Sequence, residues 1–186
     1  APPARARAGA WSRLTAAGLG NAEESIACAL NRAAGSRPIP GNHVRLLIDG
    51  PEVYAVMFDV IARATRWIHF ENYIIRSDAV GMRFAEALMA RAGEGINVRV
   101  LYDAFGSSGT RRKYWRLLRD AGVEVRAFHR IQPLDLVANF SRNHRKLVAA
   151  DGDRAVLGGL CIGSEWTGES AEGEMPWRDT AVEVSG

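Results

Sequence analysis

Between residues 44 and 129 the apolar residues alternate between two spacings, and this constrains the fold more than any other feature of the chain. "VRLLID" is a short apolar run of strand character. "PEVYAVMFDVIARAT" repeats Val53, Val56, Met57, Val60, Ile61 and Ala64 at helical spacing, with Pro51 expected at the first helical position. "RWIHFENYII" predicts a strand, "GMRFAEALMARAGEG" a helix, and "INVRVLYD" a strand. "GSSG" predicts a turn, "TRRKYWRLLRDAG" a basic helix and "VEVRAFH" another strand. The order β-α-β-α-β-α-β predicts an α/β fold, a mostly parallel or mixed sheet flanked by helices. Ligands of such sheets gather at the carboxyl ends of the strands.

The flanking segments set the domain limits. Residues 1–9 are small, basic and Pro-containing, and "AEESIACALNRAAG" predicts a helix from the N-cap Asn21 to Gly35. "SRPIPGN" is a linker, so residues 1–42 form an N-terminal extension and residues 43–186 the regular domain. After His129, "RIQPLDLVANFSRN" has no period and predicts a surface loop. "HRKLVAA" and "RAVLGGL" flank Asp151-Gly152-Asp153 as a hairpin, Gly152 supplying the positive φ that such a turn needs. "DTAVEVSG" predicts a final strand.

A composition of 47% hydrophobic residues suffices for one well-cored domain. The net charge of +3 suits an anionic partner, whether lipid headgroup, membrane surface or nucleic acid, without choosing among them. Cys28 and Cys161 are far apart and match no zinc or redox spacing. No apolar run approaches the roughly 20 residues that span a bilayer, so no transmembrane segment is expected within this chain. Its expected place is membrane-associated or cytoplasmic.

One strand carries two misplaced charges. In "SRNHRKLVAAD", a period of two puts His144 and Lys146 on one face with Val148 and Ala150, a row otherwise suited to an interior. Asp151 falls on the opposite face and belongs to the turn. Taken singly these residues have ordinary explanations: a satisfied core histidine, a snorkelling lysine, and, further on, an Asp179 that pairs with Arg178.

The flanking sequence changes the balance. His144, Lys146 and Asp151 fit HxKxxxxD, followed by Gly158-Gly159, "LCIGSEW" and "WRDTAVEV". Together these resemble the phospholipase D superfamily and its HKD motif. The upstream segments "LLIDGPEVYAVMFDVIARATRWIHFENYI", "VRVLYDAFGS" and "LRDAGVEVRAF" are similar to its bacterial cardiolipin synthase branch. The resemblance covers residues 43 to 186 and implies phosphodiester hydrolysis or transphosphatidylation on glycerophospholipids through a phosphohistidine. A phosphodiesterase or nuclease of the same superfamily, and an inactive lipid-binding or interaction lobe, are the alternatives.

The chemistry fits the residue types. Attack on an anion needs a cation such as Lys146 to hold the oxygens of a five-coordinate phosphorus. It also needs a nucleophile that is neutral near pH 7, and His144 qualifies, the reference value for an imidazole being about 6.5. The resemblance assigns Asp179 as the carboxylate that orients the imidazole, and places Asp151, Gly158 and Gly159 in supporting positions. Where the family has an Asn that lends an amide to the phosphate, this chain has Cys161, a weaker donor. Cys161 as an alternative nucleophile has no evident His partner. Glu71, on one face of its strand with His69 and Tyr73, is a candidate to reach the site from a neighbouring strand end.

Only one HKD motif is present, since "HVRLLID" at 43–49 has Arg for Lys and its acid one place early. The superfamily's site lies between two lobes, so the resemblance implies a second lobe, by homodimerisation or from a missing C-terminal half. No cofactor or metal is expected. The expected substrate is an anionic phospholipid, with peripheral membrane contact, and nucleic acid ranks below it. Arg111, Arg112, Lys113, Arg116 and Arg119 could meet either, although a solvated helix face is the ordinary reading of such a cluster.

Overall fold

The structure is a computed structural model in which residues 25–29, 32–33, 35, 39–129, 142–168 and 177–186 are described. The chain divides into residues 1–43 with Gly186, and residues 44–185. Of the expected helix 21–35, residues 25–29 and 32–33 are helical and the others lie outside the described residues. So does most of the expected loop, residues 130–141.

The regular part runs β1 (His43–Ile48), α1 (Asp49–Arg63), β2 (Trp67–Asn72), α2 (Ala79–Gly93), β3 (Asn97–Asp103), α3 (Arg112–Asp120), β4 (Glu124–Phe128), β5 (Leu147–Ala150), β6 (Arg154–Gly158) and β7 (Thr180–Ser185). A short 3-10 turn, Ser164–Trp166, lies between β6 and β7. The first helix starts two residues before Pro51, because Asp49 adopts a left-handed φ of 64° and turns the chain out of β1 at once. Aspartate tolerates that region better than most residues.

The seven strands form one sheet in the order β1-β7-β6-β5-β2-β3-β4. The α/β expectation holds, but the parallel part is confined to β2, β3 and β4. β5 pairs antiparallel with β2, and the hairpin strand β6 continues antiparallel to β7. β1 does not join the parallel block; it takes the far edge beside β7. Periodicity predicted each strand, whereas pairing partners depend on contacts across the whole sheet.

One face of the sheet is covered by the three helices, which pack side by side in chain order. Val53, Val56, Met57, Val60 and Ile61 of α1 are buried, as are Ile68 and Phe70 of β2, Val148 and Ala150 of β5, and Val156 of β6. Phe84 of α2 is the hub, stacked on Phe58 at 4.2 Å and meeting Tyr54 edge-on at 5.3 Å. Burying an aromatic ring of this size contributes about 3 kcal/mol. Asp78 caps α2 by accepting from Gly81 N at 2.8 Å, satisfying one of the helix's first free amides.

Alternation holds within β5 and one step before it: Val148 and Ala150 are buried against the helix layer, and so is Lys146. The strand expected from His144 begins only at Leu147, and His144 lies exposed in the non-strand segment ahead of it.

Candidate active site

The carboxyl ends of β1, β2, β3 and β6 meet the starting ends of β5 and β7 along one edge of the sheet. A cavity of about 350 Å³ opens there, lined among others by Tyr73, His144, Lys146, Cys161, Trp177 and Asp179. Three of the sequence candidates, His144, Lys146 and Asp179, are thus brought together from positions up to 35 residues apart.

His144 is exposed, whereas Lys146 is only 5% exposed. The Lys146 ammonium lies 2.9 Å from both ring nitrogens of His144 and donates to its backbone carbonyl at 2.9 Å. An ammonium can only donate and an imidazole has at most one accepting nitrogen, so at most one of the two contacts is a hydrogen bond. Tyr73 closes the other side: its ring lies 4.7 Å from the imidazole and 5.3 Å from Lys146 Nζ. Burial pushes the Lys146 ammonium below its usual value, and charge interactions with the neighbouring Cys161 and Asp179 oppose that shift.

The glycine pair explains how Asp179 comes so near. A β-carbon on Gly159 would overlap both oxygens and the carboxyl carbon of Asp179, and one on Gly158 would strike Ala181 of β7. Strand β7 can therefore close on β6 only where both residues lack side chains. Gly159 N donates to Thr180 O at 3.1 Å, and Asp179 Oδ1 accepts from Thr180 N at 2.7 Å. The imidazole's ring contacts go to Lys146 and Tyr73, so the orienting contact expected between Asp179 and His144 is not among the described hydrogen bonds. Asp179 acts on Lys146 through its charge.

Asp49 is a residue that sequence reasoning missed. Its N–H donates to Asp179 O at 2.9 Å, and its Oδ1 accepts from Asp179 N at 3.3 Å. Its carboxylate also takes two nitrogens of Arg178, at 2.8 and 3.0 Å, so Arg178 pairs with Asp49 and leaves Asp179 facing the cavity. The hydrogen bond from Arg178 holds the Asp49 carboxyl below its usual range. The signal was present as the Asp-Gly that closes "VRLLID", but its partner lies 130 residues away.

A second anchor holds the lead-in to β5. The buried Asp103 at the end of β3 accepts from Phe105 N, Gly106 N and, at 2.9 Å, from Asn143 N. The Asn143 amide donates to Glu71. Glu71 thus reaches the HKD strand and holds Asn143, but lines a different part of the sheet from His144 and Lys146. His69 shares that other face and lies tilted against Trp67, ring centroids 4.5 Å apart. Tyr54 of α1 donates to Cys161 O at 2.7 Å and lies 3.1 Å from Gly163 O, pinning the chain beyond the glycine pair.

Cys161 lies in the cavity wall, 3% exposed, and burial pushes its thiol up, away from the reactive thiolate. Asp151, the third residue of HxKxxxxD, sits at the other end of β5 with φ 57°. Its carboxylate accepts from Thr65 N, Thr65 Oγ, Arg66 N and Trp67 N. It ties the β5–β6 turn to the start of β2 and does not enter the site.

The family model described as "Cardiolipin synthase, PLD-like domain" matches residues 57–173. The chain belongs to this family. The cardiolipin synthase of Geobacillus sp. (strain WCH70) is 39% identical over 155 residues, covering 82% of this chain and 30% of that protein. The major cardiolipin synthase of Bacillus subtilis (strain 168) is 37% identical over 147 residues, 78% of this chain and 30% of that protein. This cardiolipin synthase-like chain thus spans about three tenths of the length of the curated relatives it matches. Among solved structures it shares its fold with the phospholipase D family member Nuc of Salmonella typhimurium, with TM-score 0.58 and 16% identity over 78% of this chain and 84% of that one. Phosphatidylserine synthase of Haemophilus influenzae Rd KW20 gives TM-score 0.59 and 16% identity over 77% of this chain and 33% of that one. The phospholipase D-like lobe therefore occurs both as most of a chain and as a third of one. Among the described residues, no helix is long and apolar enough to cross a membrane.

Proposed function

We propose that this lobe supplies half of a phosphatidyl-transfer site acting on the phosphodiester of an anionic glycerophospholipid. The observation that carries the reading is the Lys146 ammonium held against the His144 imidazole in the cavity that also contains Asp179. The matched relatives named as cardiolipin synthases support lipid over nucleic acid as the substrate class.

In this reading one imidazole attacks phosphorus, a P–N bond forms, and the P–O bond to the leaving alcohol breaks. A second imidazole gives that alcohol its proton, then removes one from the acceptor hydroxyl, whose oxygen displaces the first imidazole. Lys146 touches both ring nitrogens, so the oxygens of a phosphoryl group carried by His144 fall within its reach. Its charge opposes the negative charge that builds up at phosphorus. Asp179 keeps a negative charge beside the Lys146 ammonium and favours its protonated form despite burial. His144 alone cannot stand on both sides of an in-line displacement. The second imidazole comes from a second lobe, either another copy of this chain or a further segment of a longer protein. The 30% coverage of the cardiolipin synthases supports a further segment.

The test is incubation with phosphatidylglycerol and with bis-p-nitrophenyl phosphate, wild type beside His144→Ala, with the oligomeric state measured in parallel. Turnover of phosphatidylglycerol with acid-labile phosphorus trapped on His144 is expected. Absence of turnover of either substrate in every oligomeric state would refute catalysis by this chain. Preference for the soluble diester would move the reading to a phosphodiesterase.

A further inference from the structure

The sheet edge that carries His144 and Lys146 also presents exposed cations and aromatic rings, one of which, Trp177, lines the cavity. Arg111, Arg112 and Lys113, at the start of α3, are all exposed, and the first turn contains no acid. The helix dipole favours anions there, so these charges do not serve the helix. The start of α3 is tied to the site edge: Thr110 Oγ donates to Ile75 O, and Arg111 N to Ser77 Oγ. Ile75 in turn bridges to Ile162, next to Cys161.

The rings lie on either side of the site. Trp177 heads β7, is 59% exposed, and meets the buried Trp166 edge-on at 5.1 Å. Phe105 follows β3, is 52% exposed, and has the Arg142 guanidinium 4.4 Å over its ring. In the sheet order β5 stands two strands from β7 and two from β3. At ~4.8 Å per strand, each ring lies roughly 10 Å to one side of the HKD strand. The opposite end of the sheet carries a balanced mixture: Asp59, Glu94, Asp120, Asp151 and Asp153 are interleaved there with Arg63, Arg66, Arg91, Arg119 and Arg154. Among the described residues, the exposed Trp and Phe rings thus lie at the site end, together with a run of three cations that no acid of its own helix turn offsets.

We propose that this edge docks on an anionic lipid bilayer, with Arg111, Arg112 and Lys113 on the headgroup phosphates and Trp177 and Phe105 at headgroup depth. Tryptophan favours that depth because its ring is apolar and its N–H polar. Docking would bring the mouth of the cavity against the surface that holds the phosphodiester. The inference rests on the phospholipid reading above, but it is measured by binding alone. Failure of catalysis therefore leaves the vesicle result standing, and the reverse also holds.

The test uses the full chain and sedimentation with vesicles of phosphatidylglycerol and phosphatidylcholine at 0.1 M salt. Each basic residue at an anionic surface contributes about fivefold, so R112S/K113S should weaken binding about 25-fold. The charge-matched R63S/R119S, at the far end, should change it less than twofold. Brominated lipid should quench the wild-type tryptophan emission, and that quenching should fall in Trp177→Ser. Circular dichroism checks each fold; if the double variant does not fold, Lys113→Ser and Trp177→Ser separately carry the prediction. The proposal is overturned if anionic vesicles are not bound or if the two double variants weaken binding equally. It is also overturned if a single-stranded oligonucleotide displaces the chain from vesicles at the same salt, which would make the edge a nucleic-acid surface.

Discussion

Asp151→Asn removes one negative charge from the β5–β6 turn and keeps a residue type that tolerates the left-handed φ of 57° found there. The wild-type carboxylate accepts four hydrogen bonds at 2.7 to 3.0 Å, two on each oxygen. An asparagine oxygen can keep one pair, but its amide then faces donors. Hydrogen bonds to charged groups contribute about 1.5–3 kcal/mol each, and less where water reaches the group, as it does at this partly exposed turn. Losing one pair and weakening the other should cost about 2–3 kcal/mol. With a urea m-value of about 2 kcal/mol/M, the midpoint falls by about 1–1.5 M.

Hydrogen bonds from the amides of Thr65, Arg66 and Trp67 hold the Asp151 carboxyl well below its ordinary range, against the effect of desolvation. A carboxyl depressed in the folded state stabilises above its unfolded value of about 3.9 and loses that contribution as pH falls. The gap between wild type and variant should be full at pH 5 to 7 and roughly 1 kcal/mol smaller at pH 3. Five residues of strand, roughly 17 Å, separate Asp151 from Lys146, so turnover by the folded variant should stay within about twofold of wild type. Urea titrations followed by tryptophan fluorescence, with turnover at 20 °C, measure both. A destabilisation below about 0.5 kcal/mol at pH 7, a gap that does not shrink between pH 7 and pH 3, or a hundredfold loss of turnover would each refute the reasoning.

Other consequences concern the site itself. Lys146→Met should leave stability within about 1 kcal/mol of wild type, because the burial penalty on the ammonium disappears with it, while turnover falls by at least about a hundredfold. Thermal melts beside turnover measure the separation. Gly159→Ala should displace the half-exposed Asp179 carboxylate and reduce turnover by roughly 10²-fold for about 1 kcal/mol of stability; a crystal structure of the variant with Asp179 unmoved would contradict this. Tyr54→Phe leaves the Cys161 carbonyl without its hydroxyl donor and should cost about 1–2 kcal/mol in urea titration. Cys161→Asn restores an amide to the cavity wall, and a rise in phosphate affinity measured by calorimetry would show that the thiol weakens binding.

The expectations differ in how local their causes are. Strand alternation predicted one face for His144 and Lys146, a period of two being a property of the backbone, but β5 begins at Leu147, so the segment ahead of it brings the two side chains together. The resemblance added Asp179 and the glycine pair, but only the packing of β7 on β6 shows why the pair must lack side chains. Glu71 was legible as a candidate, while its contact with Asn143 depends on pairing between β2 and the strand that follows His144. Asp49 and Asp103 were not legible. Each acts through backbone amides of a residue far away in sequence, and such bonds leave no period or motif.

The sequence by itself determined the element types and the hairpin at Gly152, set by short-range periodicity and fixed spacing, and its resemblance to known segments pointed to the family. Tertiary structure decided the sheet order, the placing of β1 beside β7, and the meeting of His144, Lys146 and Asp179 in one cavity. It also separated Asp151 from the residues with which it shares a motif. Strand pairing and side-chain burial are settled by which surfaces exclude water together, and segments 35 to 130 residues apart supply those surfaces.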